Sequence, residues 1–141
     1  LCMSDDEIIR EKFMEFQAIQ QQLEQLQEQL NQVQQQLAEL SISKSAVEEL
    51  TSIEKGTEIL TPIANGVFVK ASLQNNDKLI VNVGSGVTVE RNPTEVVKLL
   101  AEQEVGLQDQ LVQGQRFMEE LNMKAQRIYE EVEQDVQEVK E

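Results

Sequence analysis

Two apolar tracks constrain this chain more than any other feature of its sequence. Between residues 16 and 47 the apolar positions advance by alternating steps of three and four. Phe16, Leu23, Leu30 and Leu37 form one track, closed by Lys44; Ile19, Leu26, Val33, Leu40 and Val47 form the other. That spacing is the seam of a coiled coil, held for over four heptads. Ser4 and Asp5 suit the start of such a helix and Gly56 its stop, which predicts helix over residues 4–55, roughly 75 Å at the helical rise per residue. Eleven Gln fall between Gln17 and Gln36. Alone they would read as low complexity, but the leucine seam running through them predicts helix instead.

A second seam occupies the other end. Asn92 can cap, Pro93 suits a first helical position and Glu95 can complete a capping box. From there Val97, Leu100, Glu104, Leu107, Leu111, Gly114, Met118, Leu121, Ala125, Ile128, Val132, Asp135 and Val139 follow in steps of three or four, a helix over 93–141. Two such helices, nearly equal in length, can bury their stripes by folding back on each other. Aromatic residues are only 4% of the chain and Trp is absent, which suits thin Leu, Val and Ile packing better than a thick globular core. Each seam also carries two charges of one sign: Lys12 and Lys44 in the first, Glu104 and Asp135 in the second. Antiparallel pairing places Lys44 opposite or one layer from Glu104, and Lys12 likewise with Asp135. The flanking positions Gln20, Gln27 and Gln34 on one side, and Gln22, Gln29 and Gln36 on the other, hold amides where interhelical charges are usual.

Between the helices, residues 57–92 change period. Val67, Val69, Ala71 and Leu73 alternate with Phe68, Lys70 and Ser72; Leu79, Val81 and Val83 with Ile80 and Asn82; Val87 and Val89 with Thr88 and Glu90. Ala64-Asn65-Gly66, Asn75-Asn76-Asp77 and Gly84-Ser85-Gly86 mark turns between these runs. The pattern predicts four short strands, or two hairpins over 57–91, with Pro62 confining the first run to an edge or strand end. So small a β-module keeps open edges and one face in need of cover, so it invites partner strands.

Gly56-Thr57-Glu58-Ile59-Leu60-Thr61-Pro62-Ile63, Gly66-Val67-Phe68-Val69-Lys70-Ala71 and Leu79-Ile80-Val81-Asn82-Val83-Gly84-Ser85-Gly86-Val87-Thr88-Val89-Glu90-Arg91 resemble the archaeal-like α-type subunit of prefoldin. The order of helix, two hairpins and helix matches along the whole chain, while the specific motifs cover only these central residues. Asn82 stands where an acidic residue is common and Ser85 where Ala is common. The resemblance implies an α+β fold: a long antiparallel two-helix coiled coil with two β-hairpins inserted at the bend, over one domain of residues 1–141. It further implies strands that join an oligomeric β-barrel platform, in a hexamer of two α-type and four β-type subunits. The implied activity is an ATP-independent, cytoplasmic holdase that needs no cofactor. It grips non-native polypeptide at the coiled-coil tips and passes it to a group II chaperonin.

Residue chemistry points the same way. There is no His, hence no imidazole base and no common metal ligand, and Gly84-Ser85-Gly86 lacks the following helix and Lys of a phosphate loop. A net charge of −14 disfavours nucleic acid and anionic membrane as partners and keeps a chain soluble while it exposes apolar surface. The lone Cys2 cannot form an internal disulfide, which suits a reducing compartment. Met3-Ser4-Asp5-Asp6 reads as a natural start, with Leu1-Cys2 an addition or the trace of an upstream one, and no apolar stretch of a signal peptide follows.

Two candidate surfaces remain. One is the β-module: Val67, Phe68, Val69, Leu79, Ile80, Val81, Val83, Val87 and Val89 are the expected subunit-assembly residues. The other is the pair of helix ends, where Ile8, Ile9, Phe13, Met14 and Phe16 meet Ile128, Tyr129, Val132, Val136 and Val139 as the expected client-binding residues. Of these, Ile9, Phe16, Ile128, Val132 and Val139 fit the seam; Ile8, Phe13, Met14, Tyr129 and Val136 lie outside it. A chaperone subunit is the leading reading. The alternative is a structural coiled-coil tether that oligomerises through its β-module and binds one folded partner.

Overall fold

The computed structural model describes residues 4–140, so Cys2 and Met3 lie outside the described residues. The elements run α1 (Asp5–Leu50), β1 (Glu58–Ala64), β2 (Val67–Ser72), β3 (Leu79–Gly84), β4 (Val87–Arg91) and α2 (Pro93–Lys140). The chain divides into two compact units, and both helices contribute to each. The first holds residues 1–36 and 107–141; the second holds residues 37–106.

The first unit is helix against helix. Ser4 opens α1, its Oγ accepting the Glu7 N–H at 3.3 Å, and Asp5, Asp6 and Glu7 place negative charge at the positive end of the helix dipole. The core is the seam predicted from the sequence. Ile19, Leu121, Ala125 and Ile128 are buried together, and Phe16, Leu23, Leu26 and Val132 pack half-buried around them. Farther along, Leu30 is buried against Gly114, where any Cβ would clash with the Leu30 Cδ2 methyl. Gly114 is therefore a socket: it lowers local helix propensity and in return lets a leucine knob seat fully.

The second unit contains both hairpins with the adjoining helix segments. Asn92 caps α2 as expected: its Oδ1 accepts the Glu95 N–H at 2.8 Å, and its amide donates to Glu95 Oε1 at 2.9 Å. The end of α1 differs from expectation, because the helix stops at Leu50, short of Lys55. Asn76, in the loop between the hairpins, supplies the reason. Its amide lies within reach of the Leu50, Thr51 and Ile53 carbonyls, at 3.1, 3.4 and 2.8 Å. The Thr51 and Ser52 hydroxyls donate to the Glu48 and Glu49 carbonyls. Side chains thus satisfy acceptors that a helix end leaves open.

The strands form two separate two-stranded antiparallel sheets, β1 with β2 and β3 with β4, and not one four-stranded sheet. Register shifts between Pro62 and Ala64 and between Asn82 and Gly84 put one bulge in each hairpin. The second turn places Ser85 and Gly86 both at positive φ, 52° and 74°. That is the primed turn whose twist matches the strands, and it makes Ser85 a strained non-glycine position.

Candidate functional site: two apolar surfaces

Each hairpin presents apolar residues that none of the described residues covers. In β1 and β2, Leu60, Ile63, Val67, Phe68 and Val69 are exposed; in β3 and β4, Ile80, Val83 and Val87 are. The extremes are Ile80 at 75% and Ile63 at 67%. Alternation survives only in the second hairpin, where Leu79, Val81 and Val89 turn half-buried to one side and Ile80 to the other. An isolated two-stranded ribbon is marginal in water, and each of these also leaves open strand edges and several large apolar side chains exposed. Sequence reasoning misses Leu60 and Ile63. The signal for them is the run Ile59-Leu60-Thr61-Pro62-Ile63, which Pro62 makes easy to discount, although the bulge accommodates that residue while Pro62 stays paired with Phe68.

The first unit carries the other surface. Of the ten tip residues expected from the sequence, Ile128 is buried at 6% and belongs to the core, with Phe16 and Val132 packed against it. Ile8, Ile9 and Val136 are half-buried. Phe13 at 53%, Met14 at 61%, Tyr129 at 54% and Val139 at 51% stand in solvent. The Phe16 and Tyr129 rings lie 6.2 Å apart, tilted by 42°, so Tyr129 is anchored on one side and open on the other. Phe117 and Met123 are also exposed on α2, outside the expected set. Val139 fits the seam by spacing yet is exposed near the helix end.

The charges placed in the seams find each other. Lys12 Nζ lies 2.8 Å from Asp135 Oδ2 and 3.5 Å from Glu131 Oε2. Hydrogen bonding to Asp135 raises the Lys12 pKa above its ordinary value, against the opposing effect of desolvation. In the second unit Lys44 Nζ lies 3.5 Å from Glu104 Oε1, a half-buried ion pair too long for a good hydrogen bond. That same oxygen is buried without a hydrogen-bond partner, so the contact there is charge alone.

Among the described residues no group of His, Cys, Asp or Glu side chains is arranged to hold a metal. No helix among them is long and apolar enough to cross a membrane. A helical seam that closes on itself, continuous in sequence with hairpins that do not, defines a class: an assembly protein built on coiled coil and β-hairpin. The family model "Prefoldin subunit" matches residues 19–138, and the chain belongs to the prefoldin family. It is 38% identical to the prefoldin subunit alpha of Thermofilum pendens over 93 residues, 66% of this chain and 70% of the relative. To the prefoldin subunit alpha of Archaeoglobus fulgidus it is 27% identical over 92% of this chain and 95% of the relative. A chain of the filamentous PFD from Methanocaldococcus jannaschii, solved by cryo-EM, shares the fold with a TM-score of 0.75 at 22% identity, covering 82% of this chain and 96% of that one. Family membership makes this a non-enzymatic chaperone subunit that assembles with other prefoldin subunits.

Proposed function

We propose that the chain is the α-type subunit of an ATP-independent, cytoplasmic holdase of two α-type and four β-type subunits. In this reading the exposed hairpin strands, Phe68 and Ile80 above all, join those of neighbouring subunits in a β-barrel platform. The helix ends capture non-native polypeptide on Phe13, Met14, Tyr129 and Val139 and release it to a group II chaperonin. One observation carries the proposal: the exposed large apolar side chains include a group on both hairpins in the second unit and a group on the helix ends in the first. Strand edges suit permanent pairing through backbone hydrogen bonds, whereas exposed side chains on a continuous helix suit reversible, sequence-tolerant contact.

The test uses the chain assembled with a β-type prefoldin subunit. That complex is expected to suppress aggregation of several unrelated denatured proteins without nucleotide. Binding to one folded protein only would instead identify a structural tether. Replacing Phe13, Met14 and Tyr129 together by Ser is expected to weaken capture about tenfold or more, because three large apolar side chains no longer pack against the client. Oligomer mass should stay unchanged; unaltered capture would move the client site elsewhere.

A further inference from the structure

Charge is distributed very unevenly between the two units. Residues 1–36 and 107–141 hold 16 acidic and 6 basic side chains, a net −10, while residues 37–106 hold 10 and 6, a net −4. The exposed apolar surface of the first unit therefore sits in the strongly negative part of the chain. Near the helix ends, residues 4–16 and 124–140 carry ten acids against five bases. Two of those bases are already committed, Lys12 to Asp135 and Glu131, and Lys124 to Glu15 at 3.2 Å. Acid also stands beside the exposed apolar residues themselves. The Glu133 carboxylate, one turn on from Tyr129, raises its phenol pKa through hydrogen bonding and charge. A recess of about 220 Å³ is lined by half-buried Ile8, by Asp5 and Glu138, and by Lys12 with its ion-pair partner Asp135.

We infer that the apolar surface of the helix ends selects cationic non-native polypeptides, segments in which Lys or Arg alternates with apolar residues. The inference rests on the holdase reading above and adds the substrate class. An apolar residue of such a segment packs on Phe13, Met14 or Tyr129. A neighbouring Lys or Arg lays its aliphatic stem on Ile8 and its head between Asp5 and Glu138. Attraction over a Debye length speeds encounter, whereas an acidic unfolded chain meets repulsion before any apolar contact forms. Selection by charge needs no defined client structure, which suits a surface meeting unfolded chains.

The test holds client sequence fixed and changes only charge. Lysozyme, reduced and amidomethylated at its cysteines, is a permanently unfolded basic client, and succinylation of its lysines reverses much of that charge. Affinity for each form is measured with the assembled complex at low and high salt. A variant with Glu7, Glu11, Glu133 and Glu138 changed to Gln is measured alongside; all four are exposed and outside the ion pairs named above. Capture of the basic form is expected to be about tenfold tighter at low salt, the lower end of electrostatic steering. That preference should shrink in high salt and in the variant, with helicity and oligomer mass unchanged. Equal capture of both forms at every salt concentration would overturn the charge selection and leave the holdase reading standing. Capture of neither form would overturn the holdase reading itself. The salt series on the unmodified chain decides the question even where the variant assembles poorly.

Discussion

The helical seam and the β-hairpins begin from similar material and end differently. Both are short-period apolar patterns rich in Leu, Val and Ile. Along the seam nearly every apolar position is buried or half-buried against the partner helix, Val139 being exposed. In the hairpins Ile59, Leu79, Val81 and Val89 are half-buried, while eight other large apolar residues lie 45–75% exposed. The difference lies in the number of partners each pattern needs. A heptad stripe is satisfied by one other stripe, and the chain supplies it. Each strand of a two-stranded ribbon has two edges and two faces, and its partner strand covers one edge only. Burial in the single chain thus separates residues that hold the two helices together from apolar residues that the described residues leave uncovered.

The sharpest way to break that comparison is to disable the hairpins and ask whether the seam notices. The isolated chain is expected to self-associate at micromolar concentration. Phe68→Asp with Ile80→Asp should weaken association at least about a hundredfold, the loss of one good interface anchor, while helix content stays intact. Sedimentation gives the mass and circular dichroism the helicity. A well-folded monomer from the unmodified sequence would remove the ground for reading the hairpins as incomplete.

The converse perturbation strikes the seam. Leu30→Ala should cost about 2–4 kcal/mol by leaving a hole against Gly114. Gly114→Ala should also destabilise, by about 1–2 kcal/mol, because its methyl must displace Leu30 and overpacking outweighs the gain in helix propensity. In the Leu30→Ala background the sign is expected to reverse, since the new methyl enters vacated space. Urea melts of the four proteins form a double-mutant cycle. Additivity across it would mean that the close approach of Leu30 is not why glycine occupies that seam position.

How legible these features are follows from how local their causes are. The seam, both N-caps and the Asn92–Glu95 box are readable, since each depends on residues within a few positions of one another. Even the long-range ion pairs Lys12–Asp135 and Lys44–Glu104 are readable, because two charges of one sign on each helix have few antiparallel matches. Asn76 reads from the sequence as a turn residue only. Its hydrogen bonds reach back 23 to 26 positions, and no periodicity reveals such pairings. At the tips, spacing separates seam from non-seam but not exposed from half-buried: Val136 and Tyr129 both fall outside the heptad, yet only Tyr129 is exposed.

A smaller effect sharpens the link between hairpin loop and helix. Asn76→Ala removes the amide that reaches the last α1 carbonyls and should cost about 1–2 kcal/mol, comparable to losing a helix cap. Asn76→Asp should be no better, because a carboxylate beside carbonyl oxygens at the negative end of the helix dipole is unfavourable. A denaturant melt matching the unmodified protein for both variants would leave the termination of α1 at Leu50 without its cause.

The smallest effect concerns pH. The folded-state pKa of Lys12 lies above its ordinary value of 10.5, chiefly through hydrogen bonding to Asp135. A group raised in this way binds its proton more tightly when folded. Its contribution is therefore complete below the ordinary lysine value and fades as pH climbs through the folded one. Tyr129 has a raised pKa as well, so the useful quantity is a difference between variants. The stability gap between the unmodified chain and Lys12→Met should be constant from neutral pH to about pH 9.5 and narrow above about pH 10.5. Asp135→Ala removes both the acceptor and the charge that chiefly raise that pKa, so Lys12→Met introduced into that background should show a much flatter gap. Thermal melts followed by circular dichroism across that range provide the measurement. A gap that widened with rising pH, or one indifferent to Asp135, would mean that the Lys12 contact contributes through side-chain packing and not through its charge.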